Sequence, residues 1–429
     1  MSENILISLP MEILLNICSF LKLSDILNMM LTCKTIKDML ISENALWRLM
    51  SYEKFIFIKN KSDKNCHSWY NQCRIFHNWC QGIYKRKVII QHRINYMPWL
   101  HFSNSENLFL SVGSELRCYV LDRRGVARNS LAWSLEVPIV KRFDVRTNDI
   151  SRFIVKDNVI ICGNRDGCVS VYQMNDKQHK PHLLVHIKDC HEKGLEEVSA
   201  VEKLGDTVVT VSNKSDSICF WQWSNEEIDC SKLDFSNFSK VSNVNEYYLP
   251  NGTCCKSLAA NKAEDTLAIG PTGYDKPMIL DVNTGNLTMC TTSINSAKVI
   301  RDINWLNEQS VAYVTHSGDL QVYDTRCSSM VYQTTDPFMS SLYCLKTDGY
   351  NTIVTGTSEY ARCVLYDLRS KYHVQMFFTQ KKPSPVYCLD FDSTKLIAAA
   401  DRGVANIDFN VKSSSTARDY SQRFEFVKR

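Results

Sequence analysis

Hydrophobic and polar positions recur with two different periods along this chain, and the change between them divides it in two. Through the first 50 residues the apolar side chains return every three or four positions, as on one face of an α-helix. From about residue 87 onward, short runs rich in β-branched residues are separated by turn-forming residues, which is typical of strands. The sequence therefore predicts a small helical region followed by a larger β-region.

The N-terminal pattern predicts four short helices. Pro10 stands where a first helix can start, because its fixed φ suits the first turn and its missing N–H is not needed there. Ser24 is a candidate N-cap for the second helix, and the fourth is expected to begin near Ser42. A unit of about 45 residues is marginal by itself. Its surplus apolar surface predicts a docking face; the alternative is a helical cap that packs on the next domain.

Residues 51–85 are predicted to form a helical linker, with a helix that ends near Gly82. One face of this helix carries Trp69, Cys73, Phe76, His77 and Cys80. The alternative is a metal site, for which the candidate ligands are Cys66, His67, Cys73, His77 and Cys80. No second tight cysteine pair follows at the spacing of a zinc finger, so we expect a packing helix and no metal.

The β-region repeats one pattern of strand, tight turn and strand. VYDTR at 322–326 and LYDLR at 365–369 recur within the period of roughly 40–45 residues that is typical of WD repeats. Seven such units predict a mainly β fold, a seven-bladed β-propeller of four-stranded blades over residues 86–410. The seven units are 108–122, 159–172, 208–221, 266–281, 310–324, 352–367 and 396–409.

The ends of this region predict how the ring closes. A strand at 86–92 is expected to complete the last blade, which removes the open sheet edges. The excess length at 121–137 and 224–248 is interpreted as loops. Residues 411–429 are expected to be a poorly ordered polar tail, whose FEFV end is a competitor for the closing edge.

The first 50 residues resemble the F-box. The resemblance rests on LPxEIL at 9–14, Asp25-Ile26-Leu27, Cys33-Lys34 and Leu46-Trp47. One departure is Ile36, where the family often has Trp. The resemblance implies binding to the small adaptor subunit of a cullin–RING ubiquitin ligase. The contact set that it implies is Leu9, Pro10, Ile13, Leu14, Ile17, Leu21 and Leu27.

From residue 9 to about 409 the chain resembles F-box/WD repeat proteins, with support from segments 97–100, 341–356 and 384–389. This resemblance implies a non-catalytic substrate receptor of an SCF-type ubiquitin ligase that binds phosphorylated target proteins. The alternatives are a WD-repeat scaffold without a role in ubiquitin transfer and a propeller hydrolase. Because the F-box pattern begins at residue 5, we expect no self-dimerisation through an N-terminal segment.

Substrate binding is expected on the rim where the turns between second and third strands meet the loops that enter the first strands. Arginine is a natural partner of phosphate, because its planar fork donates two parallel hydrogen bonds. Solvated loop charge is the alternative for each residue. The candidates are Arg142, Arg146, Arg165, Lys214 and Arg402, with Lys381 and Lys382 as further basic residues of the rim.

No catalytic motif stands out. We interpret four residues as a buried hydrogen-bond chain within one blade: His191, Thr210, Asp216 and Trp221. We interpret residues 270–276 as a turn between two strands, because this glycine-containing segment lacks the Gly-Lys-Ser/Thr ending of a phosphate-binding loop.

Composition narrows the function further. The net charge of +4 over 429 residues, with basic residues scattered, argues against nucleic acid. The 18 cysteines are dispersed and no signal peptide or membrane span stands out, so we expect reduced thiols in the cytoplasm or the nucleus, with no cofactor.

Overall fold

A computed structural model describes residues 9–54, 68–103, 106–122, 125–142, 147–177, 179–223, 241–288 and 298–411. Short helices precede a seven-bladed β-propeller, so the predicted fold class is confirmed. None of the helices in these ranges is long and apolar enough to span a membrane. The helices are α1 (Met11–Ser19), α2 (Leu23–Thr32), α3 (Lys34–Ser42), α4 (Asn44–Lys54) and α5 (Trp69–Gln81).

The helix boundaries differ slightly from the predicted ones. Pro10 is the N-cap of α1 and not its first helical residue. Lys22, not Ser24, is the N-cap of α2, and Ser24 lies inside the first helical turn. Cys33 caps α3, where its sulfur accepts a hydrogen bond from the Ile36 amide at 3.5 Å. Each helix start differs from the predicted position by one or two residues. Packing of the apolar face contributes more to the stability of a helix than its capping residue does, so the cap alone does not determine where the helix begins.

Each blade is an antiparallel four-stranded sheet. Two short 3₁₀ turns, Glu192–Gly194 and Pro250–Gly252, lie between strands. Blades 1 to 3 contain β2 (Leu100–Ser103), β3 (Asn107–Val112), β4 (Glu115–Asp122), β5 (Gly125–Glu136), β6 (Ile150–Lys156), β7 (Val159–Asn164), β8 (Val169–Gln173), β9 (His182–Ile187), β10 (Ala200–Leu204), β11 (Thr207–Val211), β12 (Ser217–Trp223) and β13 (Val241–Tyr248). Blades 4 to 6 contain β14 (Cys255–Ala260), β15 (Thr266–Pro271), β16 (Met278–Asp281), β17 (Leu287–Thr288), β18 (Ile300–Asn307), β19 (Ser310–Thr315), β20 (Asp319–Asp324), β21 (Ser329–Thr335), β22 (Leu342–Thr347), β23 (Thr352–Thr357), β24 (Arg362–Asp367) and β25 (His373–Phe378).

The ring is closed by a strand from the start of the propeller. Blade 7 contains β26 (Val386–Phe391), β27 (Lys395–Ala400), β28 (Gly403–Asp408) and, as its outer strand, β1 (Lys85–Gln91). β1 pairs antiparallel with β28, from Lys85 opposite Asp408 to Gln91 opposite Gly403. The predicted closing strand at 86–92 is thus confirmed, whereas the competing FEFV segment lies outside the described residues. Both ends of the propeller chain therefore belong to one sheet, which closes the ring of blades.

The prediction of loops at 121–137 and 224–248 is wrong in part. β5 and β13 occupy much of these segments and form the outer strands of blades 1 and 3. Residues 123–124 and 224–240 lie outside the described residues. An outer strand packs on one neighbour only and carries many polar residues, so its apolar alternation is too weak to be recognised.

Carboxylates on the first strands tie neighbouring blades together. Asp302 in blade 5 accepts a hydrogen bond from the Leu345 amide of blade 6 at 2.9 Å. Asp390 in blade 7 accepts one from the Phe102 amide of blade 1 at 3.0 Å. Glu202 in blade 3 accepts one from Ala260 of blade 4 at 3.2 Å. Because these bonds are buried next to the channel, they hold the ring in register where the sheets converge.

Helix α5 joins the helical region to blade 7. Ser68 caps its start, and it ends at Gly82, whose φ of +64° is the left-handed conformation that glycine adopts readily. The Trp79 indole N–H donates to the Ser393 carbonyl at 2.9 Å, and its ring stacks on Phe409 at 3.6 Å between centroids.

The helical region and the propeller share one core. The Cys73 thiol donates to the Trp47 carbonyl at 3.0 Å, so α5 also packs on α4. One apolar cluster extends from Leu14 in α1 through Trp79 to Phe409. This confirms the packing helix, which contacts both the helical region and blade 7. Cys66 and His67 lie outside the described residues.

The buried hydrogen bonds of blade 3 differ from the predicted chain. Trp221 donates its indole N–H to the Thr210 hydroxyl at 3.0 Å, as expected. His191, however, contacts the Ser217 hydroxyl at 3.2 Å, in place of Asp216. The two pairs are separate bonds and not one chain. Their role is structural, since they lie inside the blade.

We expect His191 to make folding stability sensitive to acid. Burial lowers the pKa of His191 to about 4 from its ordinary 6.5. The unfolded chain therefore binds more protons than the folded one between these values, so stability is complete above pH 6.5 and falls as pH decreases toward 4. Urea unfolding at pH 7.5 and pH 5.0 should show a loss of about 2 kcal/mol that is absent in His191→Gln. The exposed His182→Gln should behave like wild type; equal pH dependence in His191→Gln would contradict this role.

Candidate functional site

The propeller has two ends, and the helical region occupies one of them. Ser393 lies in the turn between the first and second strands of blade 7, and Phe409 follows the third strand. Both contact α5, so the helices lie at the end that we call the lower face. The upper face is the opposite end, where each first strand begins; six-residue strands separate the two ends by about 20 Å.

The helical region exposes apolar side chains along two helices. Ile13 and Ile17 lie one turn apart on α1, Phe20 is the C-cap residue of that helix, and Leu27 and Leu31 lie one turn apart on α2. Phe20 is 84% exposed and Leu31 is 81% exposed. Large apolar residues exposed together in so small a unit indicate an interaction surface. We call these five residues the helical face.

The predicted adaptor contacts divide into three groups. Pro10, Ile13, Ile17 and Leu27 are exposed, and Leu9 and Leu21 are half-buried. Leu14, by contrast, is fully buried in the core. Leu14 therefore supports the fold from within and does not lie on the helical face.

Phe20 and Leu31 are exposed residues that the predicted contact set does not contain. The signal for both was present in the sequence, because Phe20 continues the helical spacing from Ile17 and Leu31 continues that from Leu27.

A cavity of about 290 Å³ opens at the centre of the upper face, and we call it the mouth cavity. Its position follows from topology, because all seven blades contribute a residue at or next to the start of their first strand. Below it, a channel cavity of about 210 Å³ runs along the first strands. The mouth cavity is lined by Met97, Trp99, Ser151, Arg152, Arg165, Glu197, Ser199, Asn213, Lys256, Arg301, Tyr343 and Tyr387.

Positive charge dominates this cavity. Arg152 is neutralised by Asp302, to which it is bonded at 2.8 Å. Arg165, Lys256 and Arg301 remain beside a single carboxylate, that of Glu197. Burial, and then the neighbouring Arg301, lower the pKa of Lys256. Three cations that repel one another in a partly buried cavity favour a bound anion.

Arg301 is held in place for such an anion. Its guanidinium carbon lies 5.0 Å from the ring centroid of Tyr343, and its Nη2 lies 3.1 Å from His316 Nδ1. Burial and then the Arg301 charge lower the pKa of His316, so the imidazole is neutral and accepts this bond. The Nε of Arg301 is buried without a hydrogen-bond partner among the described residues. An arginine fixed by its neighbours needs little reordering to bind a ligand.

The structure brings together some of the predicted basic residues. Arg165 lies in the mouth cavity. Arg402 lies with Lys381 and Lys382 in a separate cavity of about 560 Å³ at blade 7, which we call the rim cavity.

Two other predicted rim residues are engaged within the protein. Arg142 donates to Asp189 Oδ1 at 2.8 Å, to the Asp166 carbonyl at 3.0 Å and to the Lys188 carbonyl, so it fastens a loop. Lys214 pairs with Glu196 at 3.3 Å. Arg146 lies outside the described residues.

Lys256 and Arg301 are not among the residues that the sequence predicts for the rim. Each is the second residue of the first strand of its blade. In a strand whose polar and apolar residues alternate, a basic residue at that position looks like an ordinary solvent-facing residue.

The buried thiols are not suited to nucleophilic chemistry. Burial raises the pKa of Cys118, Cys255 and Cys363 to about 12, so these thiols stay protonated near neutral pH. Within the described ranges, no group of three or more histidine, cysteine, aspartate or glutamate side chains is arranged to hold a metal ion.

Comparison with known proteins agrees with this architecture. Residues 6–53 match the F-box-like family model, and these residues include α1 to α3 and most of α4. The chain is 23% identical over 422 residues to the F-box/WD repeat-containing protein 4 of mouse, covering 94% of this chain and 92% of the relative. It is 22% identical over the same length to the human protein of that name.

These findings confirm the resemblance to F-box/WD repeat proteins, and in particular to F-box/WD repeat-containing protein 4, which is also called dactylin. Three segments of the sequence suggested dactylin: 97–100, 341–356 and 384–389. All three contribute to the mouth cavity, through Met97, Trp99, Tyr343 and Tyr387.

Proposed function

We propose that this chain is the substrate-recognition subunit of an SCF-type ubiquitin ligase. The observation that carries the proposal is the exposed helical face on an F-box-like domain, joined by a shared core to a propeller whose opposite end is open. The helical face binds the adaptor subunit and, through it, a cullin. The chain performs no bond chemistry; it raises the effective concentration of a target lysine near the ubiquitin carrier.

The target protein binds at the mouth cavity, and the group recognised there is an anion such as a phosphorylated side chain. Arg165, Lys256 and Arg301 supply charge-assisted hydrogen bonds, and the aromatic wall of Tyr343 and Tyr387 supplies apolar contact. Lys256 and Arg301, in place of Arg142 and Lys214, are the basic residues that contact the substrate.

A phosphopeptide binding assay tests this part of the proposal. A degenerate peptide library with one fixed phosphothreonine should bind the purified chain, and phosphatase treatment should abolish the binding. Lys256→Ala combined with Arg301→Ala should reduce binding by 100-fold or more, since hydrogen bonds to charged groups contribute about 1.5–3 kcal/mol each. Lys214→Ala, a control on the same face, should bind within about twofold of wild type. Equal retention of the phosphorylated and dephosphorylated libraries would reject an anion site at the mouth.

A further inference from the structure

The mouth cavity continues across the upper face as one groove. A middle cavity of about 320 Å³ shares Met97, Arg165 and Tyr387 with the mouth cavity. The same middle cavity shares Asn95 and Asp401 with the rim cavity. Three adjoining cavities therefore lead from the centre of the ring to the outer edge of blade 7. A groove of this kind suits an extended chain better than a compact small molecule.

The sign of the charge changes twice along this groove. In the mouth, the cations Arg165, Lys256 and Arg301 outnumber the carboxylate of Glu197, and in the rim, Lys381, Lys382 and Arg402 outnumber that of Asp401. In the middle cavity, the two carboxylates of Asp149 and Asp401 outnumber the one cation, Arg165, that it shares with the mouth. The order of charge from centre to edge is positive, negative and positive.

The middle carboxylates are positioned for a cation from outside the chain. Asp401 Oδ1 accepts a hydrogen bond from the Tyr387 hydroxyl at 2.8 Å, which fixes its direction. Among the described residues, neither Asp149 nor Asp401 forms an ion pair. Both are only half-buried, so a ligand can reach them.

The rim cations consist of one hydrogen-bonded arginine and two exposed lysines. Arg402 Nε donates to Asn95 Oδ1 at 2.6 Å, which leaves the other guanidinium nitrogens for a ligand. Lys381 and Lys382 are exposed on the loop that enters blade 7. Long lysine side chains on a loop can adapt to an anion without requiring one fixed distance.

We propose that this groove binds an extended peptide segment whose own charges alternate: an anionic residue at the mouth, a lysine or arginine over Asp149 and Asp401, and a second anionic residue at the rim. This inference rests on the proposed function, in which the mouth receives the anion. The middle carboxylates make the site selective against a uniform polyanion, because like charges placed opposite each other cost binding energy. A nucleic-acid backbone, which carries a phosphate at every step, does not match this order of charge.

A positional peptide array tests the inference. The probes are peptides of twelve residues with one fixed phosphothreonine, in which each other position in turn is lysine, alanine or glutamate. At positions close to the phosphothreonine, on one side of it, wild type should bind peptides with lysine about tenfold more tightly than peptides with glutamate; we call this the inner preference. Farther along the same side, wild type should bind peptides with glutamate more tightly than peptides with lysine, which we call the outer preference. Asp149→Asn with Asp401→Asn should remove the inner preference only, and Lys381→Ser with Lys382→Ser the outer preference only.

A charge reversal provides the second variant. Asp149→Lys with Asp401→Lys should invert the inner preference, so that glutamate binds better than lysine at the same positions. Two results overturn this inference and leave the proposed function intact. In the first, wild-type binding depends on the phosphothreonine but shows no inner preference. In the second, the inner preference is the same in wild type and in both Asp149/Asp401 variants. Loss of phosphothreonine dependence in wild type would overturn both. An oligothymidylate that competes as well as the best peptide would also overturn the alternating-charge site.

Discussion

Replacing Ile17 by aspartate should abolish binding of the adaptor subunit while the chain stays folded. Ile17 lies between Ile13 and Phe20 on the exposed side of α1, at the centre of that row. An interface anchor is typically worth 2 kcal/mol or more, and the aspartate would also be a buried charge without a partner. We expect affinity to fall by 100-fold or more in a titration of purified chain with adaptor, with an unchanged unfolding temperature.

Two controls separate the interface from the fold. Leu14→Asp places a charge in a fully buried position, so it should lower the unfolding temperature and lose binding for that reason. Met339→Asp changes an 88% exposed apolar residue on the upper face and should leave adaptor binding intact. Wild-type affinity in Ile17→Asp would mean that the helical face is not the adaptor site.

The second large effect is expected from the ion pair between Arg362 and Asp336. Arg362 Nη2 and Asp336 Oδ2 are 2.6 Å apart, and both side chains are fully buried. Asp336 also accepts hydrogen bonds from the amides of Phe338 and Ser340, each at 3.0 Å. Asp336→Ala leaves the arginine charge buried and unpaired, which typically costs about 3–5 kcal/mol. Thermal unfolding should shift down by about 5 °C, because a domain of this size unfolds with a large entropy change.

An exposed pair of the same chemistry is the matched control for this prediction. Arg326 and Asp324 are 2.9 Å apart in a turn, with the arginine side chain 66% exposed. Arg326→Ala should leave the unfolding temperature nearly unchanged, since solvent screens such pairs. If the unfolding temperature fell equally in the two variants, burial of the Arg362–Asp336 pair would not determine how much the pair contributes to folding stability.

The fold could be predicted from sequence because its signals repeat. Seven similar units each bury their inward residues, so errors in single strands do not change the number of blades. The closing strand was recognisable because residues 86–92 are a β-branched run with no partner nearby in sequence. The outer strands β5 and β13 were missed, because one-sided packing leaves their polar residues unconstrained.

The candidate sites were less predictable, because they depend on which side chains meet in space. The apolar spacing of α1 indicated a docking face, but spacing alone does not show that Leu14 points inward while Ile17 points outward. Lys256 and Arg301 reach the mouth cavity only because separate blades converge on the channel. Arg142 was selected for its charge, whereas its bonds to Asp189 and to two carbonyls are visible only in three dimensions.

Reconstituted ubiquitination tests the central claim, that this chain joins an adaptor at its helical face to a target at its upper face. The measurement uses adaptor, cullin, RING subunit and ubiquitin carrier, with a reporter protein fused to the phosphothreonine peptide that binds best. Wild type should ubiquitinate the reporter, whereas Ile17→Asp and the Lys256→Ala/Arg301→Ala variant should each fail while remaining folded. Undiminished ubiquitination with either variant would contradict the account.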